Sequence, residues 1–308
     1  MRSKLALSPI VRKELQGRMR GARAYVVLTI YLLIAAGLAM LVYANGVVQS
    51  EYDPGNKGRV GRAVFYIVLG IQIGLVCIIA PAATSGAIIG EHERQTYEIL
   101  LTTLLTPFQI AWGKLASALG FLGLLVFASL PLAALSYLMG GIQEEQLIIG
   151  LPIIIASALL FSTLGLYISA RAKTTLGAVV ITFVLVLAIL VGIPLLIVIS
   201  VPLLRSWADP RLISGAMGMA PPPTNMFDPI AILMWIAVSL NPVLSLVISL
   251  ESFQGSGDLW LISASSIGPT GYGTEVISPF IAFTAISLLL SALFFWLTVR
   301  RIRRSAKA

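Results

Sequence analysis

Long apolar runs alternate with short polar breaks along the whole chain. Tyr25 to Ala44, Val64 to Ile89, Leu115 to Met139, Leu147 to Ala170, Leu176 to Leu204 and Pro279 to Val299 are almost free of charge. Each holds about 20 residues or more, the length a helix needs to cross ~30 Å of hydrocarbon. In that medium every backbone N–H and C=O must find a partner inside the protein, which helices provide within one segment. The pattern predicts an all-α integral membrane protein with six transmembrane helices.

The polar breaks carry patterns of their own. Ahead of the first run, Val11, Leu15, Met19 and Ala22 recur at helical spacing behind Ser8-Pro9, a capping residue followed by a proline suited to a first helical position. Arg12, Lys13, Arg18, Arg20 and Arg23 fall mostly off that stripe. The leader, residues 1–23, is therefore expected to lie in the membrane interface and to contact anionic lipid headgroups through those five cations. A plain charge cluster that only orients the chain would explain the same residues without a surface helix.

Asn45 to Gly61 reads as a short external loop around Asp53-Pro54-Gly55-Asn56. In the second run Pro81 predicts a kink. The pairs Gly70/Gly74 and Gly86/Gly90 each place two glycines on one helix face, where another helix can approach closely. Thr106-Pro107-Phe108-Gln109 matches a capping box with proline at the first helical position, so a helix restarts there. Residues 205–278 are the least regular, with Pro221-Pro222-Pro223 and an apolar run, Ile230 to Leu250, broken by Asn241-Pro242. A seventh crossing there would move the C-terminus to the opposite side. A re-entrant external hairpin, bent at Asn241-Pro242 and placed before the last span, keeps the parity and is the expected form.

Composition sharpens the picture. Of 308 residues, 58% are hydrophobic and 11% charged, too little polar surface to cover a soluble globule of this size. The net charge of +8 is concentrated beside the first and last spans, at Arg2 to Arg23 and Arg300 to Lys307. That distribution is the positive-inside pattern, not a nucleic-acid footprint, and no nucleic-acid partner is expected. Both termini are expected in the cytosol, with Arg171 and Lys173 in a further cytosolic turn and Asp53, Glu144 and Asp258 outside. Cys77 stands alone in the second run, so no intrachain disulfide forms and packing is its expected role.

Catalytic constellations are missing. His92 is the one histidine, which excludes two-histidine metal sites, and His92-Glu93 begins a zinc-protease pattern that Thr96 ends. Gly113-Lys114 is followed by Leu115 and has Phe108 in place of a first glycine, so the chain carries no phosphate-binding loop of its own. No metal and no bound cofactor are expected. Within the runs the polar groups are mild, among them Gln72, Thr84, Ser85, Ser157, Ser162, Thr163 and Thr182. Hydroxyls of this kind mostly bond their own helix, and none is assigned to a substrate. An ATP-independent channel or secondary carrier would be expected to show intramembrane charge, and a membrane-embedded enzyme a catalytic set.

One break stands apart. Residues 90–114 include Gly90-Glu91-His92-Glu93-Arg94-Gln95-Thr96-Tyr97-Glu98, with Arg94 spaced to meet Glu91 and Glu98, and with Tyr97, Leu100, Leu101 and Leu104 on one apolar face. A short amphipathic helix is expected, either docking on a partner or resting on the bilayer as a solvated connector.

Gly90, Glu91, Glu93, Thr96, Leu100, Leu101, Pro107, Gly113 and Lys114 match the signature Gly-Glu-x-Glu-x-Gly-Thr, leucine-rich stretch, proline and Gly-Lys of ABC-2 type transporter permeases. Gln95 stands where that pattern has glycine. Pro9-Ile10-Val11-Arg12-Lys13-Glu14-Leu15 also resembles the opening of such permeases, with Ser8 where asparagine is frequent. The resemblance implies one transmembrane permease domain, residues 1–308, in the cytoplasmic membrane of a prokaryote. It implies a coupling helix in which Glu91, Glu93, Arg94, Thr96, Tyr97, Glu98 and Leu101 meet a separate cytosolic ATPase that holds ATP and Mg. It further implies a second permease subunit, identical or homologous, with spans two and five lining the pathway of an exporter.

Overall fold

The computed structural model describes residues 17, 22–50, 57–95, 106–140, 142–208, 229–263 and 275–305. Among them six helices are long and apolar enough to cross a membrane: Tyr25–Gly46, Gly58–Glu93, Pro107–Leu138, Glu144–Ser169, Thr175–Ser200 and Pro279–Arg304. The protein is an all-α integral membrane protein. Its elements are α1 (Ala22–Ser50), α2 (Lys57–Thr84), α3 (Ile89–Glu93), α4 (Pro107–Leu138), α5 (Glu144–Ser169) and α6 (Thr175–Leu187). A π-helical segment (Ala188–Gly192) follows, then α7 (Ile193–Ala208), α8 (Pro229–Ser239), α9 (Pro242–Ser256), strands β1 (Leu261–Ser263) and β2 (Glu275–Ile277), and α10 (Pro279–Ser305).

The helices outlast the apolar runs that predict them. α1 continues to Ser50 and α2 begins at Lys57, so most of the expected loop from Asn45 to Gly61 is helix. Asn45 is helical, its side-chain amide donating to its own helix at Leu41 O (3.0 Å), and the Asp53-Pro54-Gly55-Asn56 turn lies outside the described residues. α4 starts where its capping box stands: Thr106 Oγ1 accepts the Gln109 N–H (3.3 Å) and Gln109 Oε1 accepts the Thr106 N–H (2.9 Å).

Contacts divide the chain into two units, residues 1–144 with 154–184 and 287–308, and residues 145–153 with 185–286. In the first, α1, α2 and α4 pack through Ala39, Val64 and Val68 against Val42, Leu132 and Met139. A second cluster joins Ile88, Ala111, Leu115, Leu166 and Ile302, and so binds the residues after α2 to α4, α5 and α10. Gly70 and Gly74 have no neighbour within 4 Å of where a Cβ would stand, so that pair is not a close-approach face among the described residues. Gly165 of α5 is one: a Cβ there would collide with Thr84 Oγ1 and lie 3.2 Å from the Ser85 nitrogen. Thr84, Thr163 and Thr182 each donate to the carbonyl four residues back, the self-satisfied state expected of hydroxyls in membrane helices.

The second unit contains the irregular segment. α8 and α9 meet at a 116° bend, and neither 11 nor 15 residues can span ~30 Å at 1.5 Å per residue. Asn241 sits buried at the bend with both ends of its amide in use. Its Oδ1 accepts the N–H groups of Val243 (2.9 Å) and Leu244 (3.0 Å), capping α9 ahead of Pro242. Its Nδ2 donates to Ile189 O (2.8 Å) and Leu190 O (3.2 Å) in the π-helical segment. Strands β1 and β2 pair antiparallel with Leu261 opposite Ile277, and Trp235 Nε1 donates to Ile277 O at 2.7 Å.

Candidate functional site

The helix of the second span passes Pro81, ends at Thr84, turns through Ser85 to Ile88 and resumes for one turn as α3. A single turn has little stability of its own, because nucleating a helix fixes several dihedrals for one hydrogen bond. This one is fastened from outside by three neighbouring helices.

The first fastening is to α5. Ile88 and Ile89 are buried and their N–H groups begin α3, so neither can be left bare. Ser169 Oγ, at the end of α5 and 1% exposed, accepts both, at 2.9 and 3.2 Å. The second is to α4. Lys114 Nζ donates to Glu91 Oε1 at 2.6 Å, with the lysine side chain 4% exposed and the glutamate 27%. Lys114 stands two turns inside α4, where an ammonium group needs a partner to be held away from water.

The third is to α6. Glu93 is exposed, and its carboxylate grips the first residue of that helix from two sides: Oε1 accepts the Thr175 N–H (2.7 Å) and Oε2 the Thr175 hydroxyl (2.6 Å). Thr174 supplies the ordinary cap, its Oγ1 accepting from Gly177 N at 3.2 Å. Glu93 thus satisfies a second donor of the α6 N-terminus and sets negative charge at the positive end of the helix dipole. Gly86 and Gly90 both face Thr175 at ordinary contact distance, a Cβ on Gly86 standing 3.4 Å from Thr175 Cγ2 and one on Gly90 4.0 Å from Thr175 Oγ1.

Beside these contacts lies an open cavity of about 450 Å³ whose rim carries His92, Ser169, Arg171, Lys173 and Arg301. Among the described residues no carboxylate lines it. Among the described residues no cluster of histidine, cysteine, aspartate or glutamate could hold a metal ion.

The geometry corrects the expected helix at one point. α3 stops at Glu93, Arg94 caps it with its N–H on Gly90 O (3.2 Å), and Gln95 takes φ 57°, in the left-handed region. An amphipathic helix running without interruption from Glu91 through Leu104 is therefore absent. Glu91 is tied to Lys114 on α4. Gln95 occupies the position where the resembled pattern has glycine, and the left-handed φ explains that preference, since glycine alone reaches it without a Cβ clash.

Of the coupling residues expected, Glu91 and Glu93 come together with Arg94 nearby, whereas Thr96, Tyr97, Glu98 and Leu101 lie outside the described residues. So do Arg12, Lys13, Arg18, Arg20 and the Arg23 side chain. Ser169 and Thr175 were not expected at the site, and Lys114 was expected there only as part of a motif. A lysine directly ahead of the third apolar run and the Thr174-Thr175 pair ahead of span five were signals that could have found two of them.

The family described as ABC-2 type transporter matches residues 6–205, more than half of the chain, including the fastened turn and its anchors Lys114, Ser169 and Thr175. A search of curated proteins gives no match.

Proposed function

The chain belongs to the ABC-2 type transporter family, as a multi-pass membrane permease, and from that premise we propose that it is one of two permease subunits of an ATP-driven exporter. In this reading the partner permease is identical or homologous, and ATP and Mg are held by a separate cytosolic ATPase. The chain sits in the cytoplasmic membrane of a prokaryote with both termini in the cytosol. Residues 90–114 are the docking segment, with Glu91, Glu93 and Arg94 at its root and Thr96, Tyr97, Glu98 and Leu101 toward the ATPase. The pair α8 and α9 is a re-entrant external hairpin, a form its 116° bend favours.

The observation that carries this reading is the triple fastening of Ile88 to Glu93. A connector would need no bonds to three spans, whereas a coupling element must pass displacement on without slipping. Here Ser169, Lys114 and Thr175 take the load on α5, α4 and α6 respectively. ATP binding draws the two ATPases together, the docking segments follow, and the spans exchange one packing for another, a shift between two populations with different access.

Co-purification from membranes with a cytosolic ATPase tests the proposal. Tyr97→Ala is expected to weaken that association. Glu91→Ala is expected to leave association largely intact and to lower substrate-stimulated ATP turnover. A doubly substituted protein that retains the ATPase at wild-type stoichiometry and transports normally would reduce the segment to a connector.

A further inference from the structure

The far end of α10 carries a second built feature, apart from the docking segment. Leu289, Leu293, Trp296 and Arg300 recur at spacings of four, three and four, so they share one helix face, and all are exposed. The apolar stripe ends in charge: the Arg300 guanidinium lies 5.2 Å over the Trp296 ring. At the same level Phe108 and Trp112 of α4, both about half exposed, meet Phe295 edge-on at 5.5 and 6.1 Å. A belt of exposed aromatics where apolar surface gives way to arginine marks the height of the membrane–water interface.

Just beyond that belt, α5 and α10 enclose a cavity of about 200 Å³ lined by Tyr167, Arg171, Leu297, Arg300, Arg301 and Arg304. Arg171 is held in place. Its Nη1 donates to Tyr167 Oη at 2.6 Å, its guanidinium lies 5.6 Å over the same ring, and that ring stacks on Phe294 at 5.5 Å. No carboxylate lines the cavity, and none of the four arginines is paired with one among the described residues. Guanidinium groups so arranged repel one another until an anion sits between them, and their planar forks suit the oxygens of a phosphate.

We infer that this cavity binds the headgroup phosphate of an anionic phospholipid whose acyl chains lie along Leu289, Leu293 and Trp296. The apolar stripe leading into the cavity at interface height selects a lipid over a soluble phosphate, and basic pockets between transmembrane helices are recognised sites for such headgroups.

Native mass spectrometry of the full-length protein with dioleoylphosphatidylglycerol or dioleoylphosphatidylcholine tests it. The wild type should retain phosphatidylglycerol preferentially. One arginine near an anionic headgroup is worth roughly fivefold, so Arg300→Gln with Arg304→Gln should cost more than tenfold in phosphatidylglycerol retention and leave phosphatidylcholine unchanged. Arg303→Gln, one charge fewer on the same helix turn but outside the cavity lining, should change little. Should the double variant fail to elute as a single species, Arg171→Gln on the other helix must by itself lower retention about fivefold. Equal losses with Arg303→Gln would mean diffuse charge and no site. Displacement of the lipid by millimolar inorganic phosphate would make it a soluble-anion site. Unchanged lipid retention in the double variant with loss of a protein partner would make the surface a protein contact. Each of these results overturns the inference.

Discussion

Replacing Ser169 with alanine removes one oxygen and almost no volume, so its effect isolates the hydrogen bonds that pin the turn after span two. Two buried N–H groups, of Ile88 and Ile89, lose their acceptor at 2.9 and 3.2 Å. A buried donor left unsatisfied costs about 1–3 kcal/mol. Ser169 also lines the 450 Å³ cavity, which is polar and large enough for water to enter and take over one donor. The expected net loss is therefore at the low end, about 1–2 kcal/mol, or a fall of roughly 2–4 °C in apparent melting temperature for a chain of this size. Thermal unfolding in detergent or nanodiscs reads the first quantity. Reconstituted transport per ATP hydrolysed reads the second, and it should fall because the turn can now move without α5. Ser169→Thr keeps the acceptor and can direct its methyl group into the cavity, so it should restore both readouts. If alanine and threonine variants melt and transport alike, the hydroxyl does not hold the turn and the coupling argument loses its link to α5.

Further outcomes follow from other contacts. Asn241→Asp keeps the cap on α9 but turns a donor into an acceptor facing Ile189 O and Leu190 O, so it should melt below both wild type and Asn241→Ser, which keeps an acceptor for the cap; an aspartate variant as stable as asparagine would rule out the bond to the π-helical segment. Gln95→Gly should stabilise by about 0.5–1 kcal/mol in the same assay, because φ 57° suits glycine and strains glutamine; a loss of stability would contradict the left-handed turn. In a Cys77→Ser background, cysteines at 258 and 144 should react with an impermeant reagent from outside and cysteines at 171 and 304 should not, and external labelling at 304 would break the proposed even parity.

How much could be read in advance depended on the range of the interaction. A membrane span is written as an uninterrupted apolar run because the medium tolerates nothing else, so all six were legible, and a capping box involves only four neighbouring residues, so the start of α4 at Pro107 was too. The helix ends were not, because residues such as Asn45 satisfy themselves locally while looking like loop formers. The site was legible as a motif and not as a structure. Ser169 is 81 positions from Ile88 and Thr175 is 82 from Glu93, and no periodicity links such partners. Lys114 shows the same limit from the other side, since its pairing with Glu91 runs across 23 residues, where helical spacing suggested only local partners. Asn241 was legible as a bend; its grip on the π-helical segment needed the fold.

The fastenings are polar for a physical reason that bears on coupling. Lipid tails are as apolar as leucine, so contact between apolar helix faces in a membrane fixes neither rotation nor slide strongly, whereas a directional bond fixes both. Glu93 holds α6 at its first residue, and the 13 residues of α6, about 20 Å of helix, lead from there to the π-helical segment at Ala188. Pi-helical turns loosen the regular ladder, and here the carbonyls of Ile189 and Leu190 are taken up by Asn241. The fifth span is thus gripped by Glu93 at its first residue, and its π-helical turn is held by the residue that bends the α8–α9 pair. In the proposed mechanism a displacement of Glu93 reaches the fifth span at its first residue, and the π-helical turn is a compliant place whose bonds can be remade. This would let a span change its shape there without giving up its hold on the docking segment.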